Sequence, residues 1–409
     1  MVDSNTNRLP LEGVRIADFT WAWAGPYATE LLAFLGAEVV KIESVKRPDH
    51  ARTRSLSHGL SNRDLDKSSV FNDLNLNKLS LSLDLKQPKA IELAKRLVAV
   101  SDVVAENYRP GVMDKLGLGY DVLRQIKPDI VMLSSSAMGA VGPERNYAGF
   151  APTFAALGGA AHLTGYPDKR PVPLMGSSDL RSASTSAFAI LVALYHKART
   201  GQGQHIDLSS TETIAINISD SILDYIMNGC VAVRKGNRDE IMAPHNVYPC
   251  KGESRWVSIA VATDEEWQSL CKAMSSPSLA DDERFSDGYR RWCNQDDLDQ
   301  IVGEWTANFT DYEVTAMLQK AGVAAMPTLQ GTDLYEDSHF KFRSVATEVT
   351  HANVGTRFVV GPPWKFSATP ARIRHSSPML GEHNEYVLGG LLGMSRDEIA
   401  ALEEDGVLS

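Results

Sequence analysis

The chain has 409 residues, 43% hydrophobic and 22% charged, which is longer than one hydrophobic core supports, so two domains are expected. A formal net charge of -10 argues against a nucleic-acid partner, because a phosphate backbone demands a basic surface. It leaves room for a small anion held by a local basic patch. The four cysteines, Cys230, Cys250, Cys271 and Cys293, are widely spaced, with no CxxC pair and no clustered histidines. That pattern fits a reduced compartment and predicts no metal site. The first nine residues lack the apolar core of a signal peptide, and no apolar run approaches the roughly 18 residues of a membrane span. A cytoplasmic location with no membrane partner is expected.

In chain order, 14–19 reads as a strand, 26–35 as a helix stopped by Gly36, and 38–43 as a second strand. This βαβ unit implies parallel strands and a right-handed crossover. Residues 44–70 are polar and read as a long surface loop. Alternation over 79–85 predicts a half-buried strand, 88–100 an amphipathic helix, and 102–106 and 129–134 two further strands, the latter buried on both faces. A Gly/Ala-rich stretch at 148–165 precedes the strongest helix, 180–197, then a turn at 200–204 and a strand at 205–209. Beyond about residue 225 the texture changes: a strand at 256–261, a helix at 265–273, and charged helical sequence to about 325. Strands and turns return from 326, ending in a helix at 396–404. The fold class is α/β, with no internal repeat.

Chemistry could sit at three places. The first βα turn, Asp18-Phe19-Thr20-Trp21-Ala22-Trp23-Ala24-Gly25-Pro26, lacks the glycine fingerprint of a dinucleotide site. Pro26 suits a helix start, and small residues before it let an anion approach the backbone N–H groups; a plain tight turn is the alternative. Lys41, Lys46, Arg47, Arg52 and Arg54 form a local basic cluster, either a phosphate site or a solvated loop. Asp179, in Met175-Gly176-Ser177-Ser178-Asp179-Leu180, stands at the start of the strong helix. It is either an N-cap or a carboxylate that the helix dipole keeps ionised and nucleophilic, with Ser177 or Ser178 capping instead. His162, His196 and His205 enter no recognisable triad and read as packing or surface. The Ser134-Ser135-Ser136 run either donates hydrogen bonds or ends its strand.

Together these segments resemble the class III CoA-transferases (CaiB/BaiF type), over nearly the whole chain. The resemblance lies in 11–20, Ala24-Gly25-Pro26 and 35–43, in Ala105-Glu106-Asn107-Tyr108-Arg109-Pro110-Gly111 with Leu116-Gly117, in Arg199-Thr200-Gly201-Gln202-Gly203-Gln204, and in Pro378-Met379-Leu380-Gly381-Glu382-His383. It implies a Rossmann-like large domain built from both chain ends, 1–215 and 326–409. A smaller α+β domain would occupy 225–325, with linkers at about 216–224 and around 326, in an interlocked dimer. It implies Asp179 as the catalytic residue and no permanently bound cofactor, a coenzyme A thioester serving as substrate. CoA contacts are implied at Trp21, Ala22, Trp23, Ala24, Asn107, Arg109, Lys115 and Ser136. Lys46 and Arg47 are added from the basic loop, which is shifted relative to the family's arginines. The implied partners are an acyl-CoA such as succinyl-CoA and a carboxylic acid, in a homodimer or a heteromer with a paralogous subunit.

The same family includes α-methylacyl-CoA racemases, which pair the aspartate with an upstream histidine. Here Phe150 holds that position, and a phenyl ring takes no proton. An intramolecular CoA-transferring isomerase would use the same Asp179 chemistry, and a non-catalytic subunit would have no use for it. Trp21, Trp23 and Met138 are bulky and suit an aromatic or substituted dicarboxylic acceptor better than oxalate or formate; core packing is the alternative for both tryptophans.

Overall fold

Short runs of Val, Ile, Leu and Ala bury both faces of their strands, as a parallel sheet covered by helices requires. The computed structural model describes residues 8–53, 64–174 and 176–409; Arg54 of the basic cluster and Met175 lie outside these. The first strands and helices are β1 (Arg15–Asp18), α1 (Ala24–Phe34), β2 (Glu38–Glu43), α2 (His50–Thr53), α3 (Ser69–Asp73) and β3 (Lys78–Ser82). Next come α4 (Pro88–Ala99), β4 (Val103–Glu106), α5 (Val112–Lys115), α6 (Tyr120–Ile126) and β5 (Val131–Ser136). After α7 (Ala151–Leu157) and α8 (Ala160–Leu163), α9 (Ser177–Thr200) leads to β6 (His205–Ser209), α10 (Ser210–Ala215) and α11 (Ser219–Asn228).

β1 to β6 form one sheet in the order β3-β2-β1-β4-β5-β6, every pair parallel. This is the doubly wound order, and its direction reverses between β1 and β4, where such sheets open a crevice at the strands' carboxyl ends. Leu31, Leu32 and Phe34 of α1 and Ala187, Ile190 and Ala193 of α9 pack one face of the sheet. Leu93 and Leu97 of α4 pack the other.

The chain splits into two compact units: 1–161, 173–231 and 341–409 in the first, 162–172 and 232–340 in the second. In the second, β7 (His245–Pro249), β8 (Trp256–Ala260) and β9 (Ala324–Pro327) make an antiparallel sheet. It packs with α12 (Asp264–Ala273), α13 (Gly288–Cys293), α14 (Gln295–Thr306) and α15 (Asp311–Lys320) around the buried Trp267. The sequence places the return to the large domain near 326. In the structure the second unit runs on to residue 340, because Ala324–Pro327 supplies the edge strand against β8. α16 (Asp333–Glu336) and α17 (Ser338–Phe342) follow. The expected linker at 216–224 is also helical, a 3-10 turn at Ile216–Ile218 leading into α11.

The remaining chain returns to the first unit. β10 (Ala346–His351) and β11 (Gly355–Val360) form a hairpin, and Val349 and Val359 join the core beside α1 and α9. A π-helical turn at Tyr386–Leu391 and α18 (Arg396–Glu404) pack Val387, Leu388, Ile399 and Leu402 on the α4 face. Both chain ends therefore share one core.

Beneath the β1–α1 turn lies a cluster of buried charges. Lys78 Nζ lies 3.1 Å from Asp18 Oδ2 and donates to Pro26 O at 2.8 Å and Asn75 Oδ1 at 2.9 Å. Lys41 Nζ lies 2.7 Å from Asp49 Oδ2 and donates to Thr20 O at 2.7 Å. Burial pushes the Asp18 carboxyl up, but Lys78, Lys41 and the Thr20 and Thr29 hydroxyls outweigh it and hold Asp18 below its usual range. Removing one partner strands the other as an uncompensated buried charge. Lys78→Met is therefore expected to lower unfolding free energy by about 3–5 kcal/mol, read by urea denaturation; a loss under about 1 kcal/mol would show that the cluster does not hold the turn.

Candidate active site

The site grows out of the β1–α1 turn at the carboxyl end of the sheet. The Trp21 N–H donates to Asn107 Oδ1, and Asn107 Nδ2 donates back to Trp21 O, both at 2.9 Å. Asn107 directly follows β4, so one amide side chain ties the turns after β1 and β4 across the switch point. Ala22 holds a left-handed φ of 70°, a conformation unfavourable for a residue with a Cβ. Its N–H is fixed on Asp49 Oδ1 at 2.8 Å. The glycine of Ala24-Gly25-Pro26 is required by space: a Cβ there would lie 2.5 Å from Thr20 Cβ and 2.9 Å from Asn107 Cγ.

Trp21 is the hub of an aromatic patch. The Arg47 guanidinium lies 5.0 Å from its ring centroid, within cation–π range. His50 sits edge-on at 6.5 Å and Tyr108 tilted at 6.2 Å. Phe150 reaches the far side of His50 at 6.2 Å and is 67% exposed. Trp23 differs: it packs against the buried cluster of Ala51, Val70, Phe71 and Leu74. Packing thus accounts for Trp23, while Trp21 stays available at the turn.

The basic cluster divides. Lys41 and Arg52 are fully buried and already paired, Lys41 with Asp49 and Arg52 with Glu43 (2.8 and 2.7 Å) and Asp66 (2.7 Å). These two build the loop and leave no free charge for a phosphate, which corrects the reading of five basic residues as one phosphate site. Lys46 pairs with Asp84 at 3.1 Å and donates to Gly406 O at 3.4 Å. Arg47, Arg109 and Lys115 are exposed and engage no carboxylate among the described residues. Ser136, at the end of β5, is 8% exposed, and its Oγ has no hydrogen-bond partner among the described residues.

Asp179 stands in the first turn of α9, the 24-residue helix that packs along α1. Gly176 occupies the N-cap with φ 77° and no side-chain cap bond. Neither Asp179 nor a serine is the cap: Ser177 and Ser178 are inside the helix and Asp179 is partly exposed. An acid in this position faces the positive end of the helix dipole, which favours its ionised form.

Sequence reasoning passed over Glu106, Tyr108 and His50. The signal for Glu106 was present, an acid ending the apolar run Val103-Val104-Ala105. Glu106 is 6% exposed, and burial pushes its carboxyl up to about 7, against bonds from Ser134 and the Tyr108 N–H that hold it down.

A doubly wound parallel sheet with a clamped turn at its switch point defines an α/β protein whose crevice lies at the carboxyl ends of the strands. Residues 11–384 match the family described as CoA-transferase family III. The succinyl-CoA–D-citramalate CoA-transferase of Chloroflexus aurantiacus is 33% identical over 400 residues, covering 98% of each chain. The β subunit of the succinyl-CoA–L-malate CoA-transferase of the same organism is 34% identical over 414 residues, covering 100% of both. The crystal structure of a CaiB/BaiF family protein from Brucella suis superposes with a TM-score of 0.85 at 30% identity, covering 94% of this chain and 100% of that one. The chain belongs to the class III CoA-transferases, enzymes for which a CoA thioester is a substrate.

The raised Glu106 value has a stability consequence. Below about pH 4.5 the carboxyl is protonated in both folded and unfolded chains and carries no penalty. As pH rises toward about 7 the unfolded chain releases its proton first, so folding loses about 3 kcal/mol. Glu106→Gln cannot ionise, so its stability relative to the parent should climb by that order between pH 4.5 and 7.5, measured by urea unfolding at several pH values. A pH-independent difference would mean that Glu106 ionises freely in the folded protein.

Proposed function

We propose that this chain moves CoA from succinyl-CoA to a substituted or aromatic dicarboxylic acid through an aspartyl-CoA thioester on Asp179. The carrying observation is an acid in the first turn of the long helix of a chain that aligns end to end with succinyl-CoA-dependent transferases. The Asp179 carboxylate attacks the donor thioester carbonyl, giving a mixed anhydride and CoA thiolate. The thiolate attacks the aspartyl carbonyl, forming aspartyl-CoA and releasing succinate. An acceptor carboxylate then attacks aspartyl-CoA, and the expelled thiolate takes the acceptor acyl group, regenerating Asp179. Each tetrahedral oxyanion needs nearby N–H donors.

In this reading the CoA thioester lies over Trp21, Ala22 and Ala24, while Trp23 anchors the turn in the core and Asn107 holds it. Arg47, Arg109 and Lys115 meet its phosphates as charges without a carboxylate partner, and Lys46 joins them by leaving Asp84. Ser136 faces the reacting end. The open rings of Trp21, His50 and Phe150 support a bulky acceptor. Incubation with succinyl-CoA and hydroxylamine trapping should yield a mass change on the Asp179 peptide, absent in Asp179→Asn, with acyl transfer down at least about 1,000-fold. Transfer that survives the substitution would end the aspartyl reading.

The chain is proposed to form an interlocked dimer with an identical or paralogous chain. α11 buries none of its side chains, and Leu223, Ile226 and Met227 are exposed. Phe188, Val192 and Tyr195 leave an apolar stripe open on α9. Such faces suit a second chain of the same kind. No described helix is long and apolar enough to cross a membrane. Light scattering on the purified chain should give twice its 44.7 kDa mass; a monomer that dimerises only with a paralogue would select the heteromer, and a monomer under all conditions would refute the interlock.

A further inference from the structure

The aspartyl chemistry makes no use of Glu106, yet this residue immediately precedes the Asn107 clamp. Its Oε2 accepts the Tyr108 N–H at 2.7 Å, closing the β4–α5 turn on itself. Ser134 is its register partner on the neighbouring strand, and the Ser134 hydroxyl lowers the proton affinity of the carboxyl. Ser134 Oγ lies 2.9 Å from His205 Nε2 on β6. The His205 ring stacks on Tyr120 at 5.1 Å and 16° and is open to solvent. A row of polar side chains therefore runs from solvent across three adjacent strands to a buried acid at the switch point.

We propose that Glu106, Ser134 and His205 form a proton-linked strut of positioning residues that sets how tightly the Trp21–Asn107 turn holds the CoA thioester. The inference rests on the reading of that turn as the CoA site. With Glu106 protonated, its O–H donates to Ser134 Oγ, and the Ser134 hydroxyl donates to neutral His205 Nε2. Proton loss runs along the same path: Glu106 passes its proton to Ser134 Oγ as Ser134 passes its own to His205 Nε2. The imidazolium then releases its Nδ1 proton to solvent. Ser134 now donates to the Glu106 carboxylate and accepts from His205 Nε2–H, so every hydrogen bond in the path has reversed and the strut has gained one negative charge.

The surroundings give that charge a direction of effect. Asp114 on α5 and Asp207 on β6 face Glu106, and Asp207, Asp114 and Asp121 face His205. Ionised Glu106 adds to an acidic neighbourhood beside a turn that receives an anionic ligand. The protonated strut is the tight-binding state, and affinity for CoA falls as pH rises through the Glu106 transition at about 7.

The test is calorimetric titration of the full chain with dephospho-CoA, which lacks the phosphomonoester that itself titrates near pH 6. Between pH 6 and 8.5 the wild-type Kd should rise about five-fold. Glu106→Gln, a fixed mimic of the protonated acid, should stay at the tight value throughout. Ser134→Ala removes a bond that favours the ionised carboxylate and should move the midpoint of the transition to higher pH. A flat wild-type Kd, an equal rise in Glu106→Gln, or an unmoved midpoint in Ser134→Ala would each overturn the strut. Absence of dephospho-CoA binding at both pH values, in wild type and variants alike, would instead overturn the CoA reading of the turn.

Discussion

The site depends on one buried electrostatic arrangement, the pairing of Lys78 with Asp18 and of Lys41 with Asp49 under the β1–α1 turn. Both lysines also donate to backbone carbonyls of the turn itself, Pro26 O and Thr20 O. Charges in a dry interior persist only when every donor and acceptor finds a partner, so the cluster admits few geometries. That constraint holds Ala22 in its left-handed conformation and leaves the Trp21 ring beside Arg47.

From that base the architecture follows as a sequence of closures. Asn107 joins the turn after β4 to the turn after β1, and Gly25 leaves the space this requires. Arg52 and Glu43 then fasten the loop beyond β2, where Arg52 also reaches Pro378 O in the C-terminal segment. The site is thus held by residues from the beginning and the end of the chain. The proposed nucleophile, Asp179, is presented separately, in the first turn of a long helix packed on α1.

The strand and helix pattern was readable wherever burial imposes a period. The strands at 38–43 and 205–209 and the helix at 396–404 fall where apolar spacing puts them. The same reasoning missed α11, although its apolar residues Ile222, Leu223 and Ile226 recur at helical spacing; within one chain they are exposed. It also ended the second unit too early: Ala324–Pro327 is a weak strand by composition and becomes one only by pairing with β8.

The sequence by itself determined the class of fold, the family and the candidate nucleophile, because these reside in ordered local motifs and in a hydrophobic period that short-range physics imposes. The division of labour among charged and aromatic side chains was decided only by the tertiary structure. Lys41, Arg52, Arg47 and Lys46 look alike in sequence, yet the first two are locked in buried ion pairs while Arg47 stacks on Trp21. Glu106, Ser134 and His205 are far apart along the chain and meet because adjacent parallel strands bring them into register. Burial and partnership are properties of the packed chain, and a residue's charge, proton affinity and availability to a ligand follow from them.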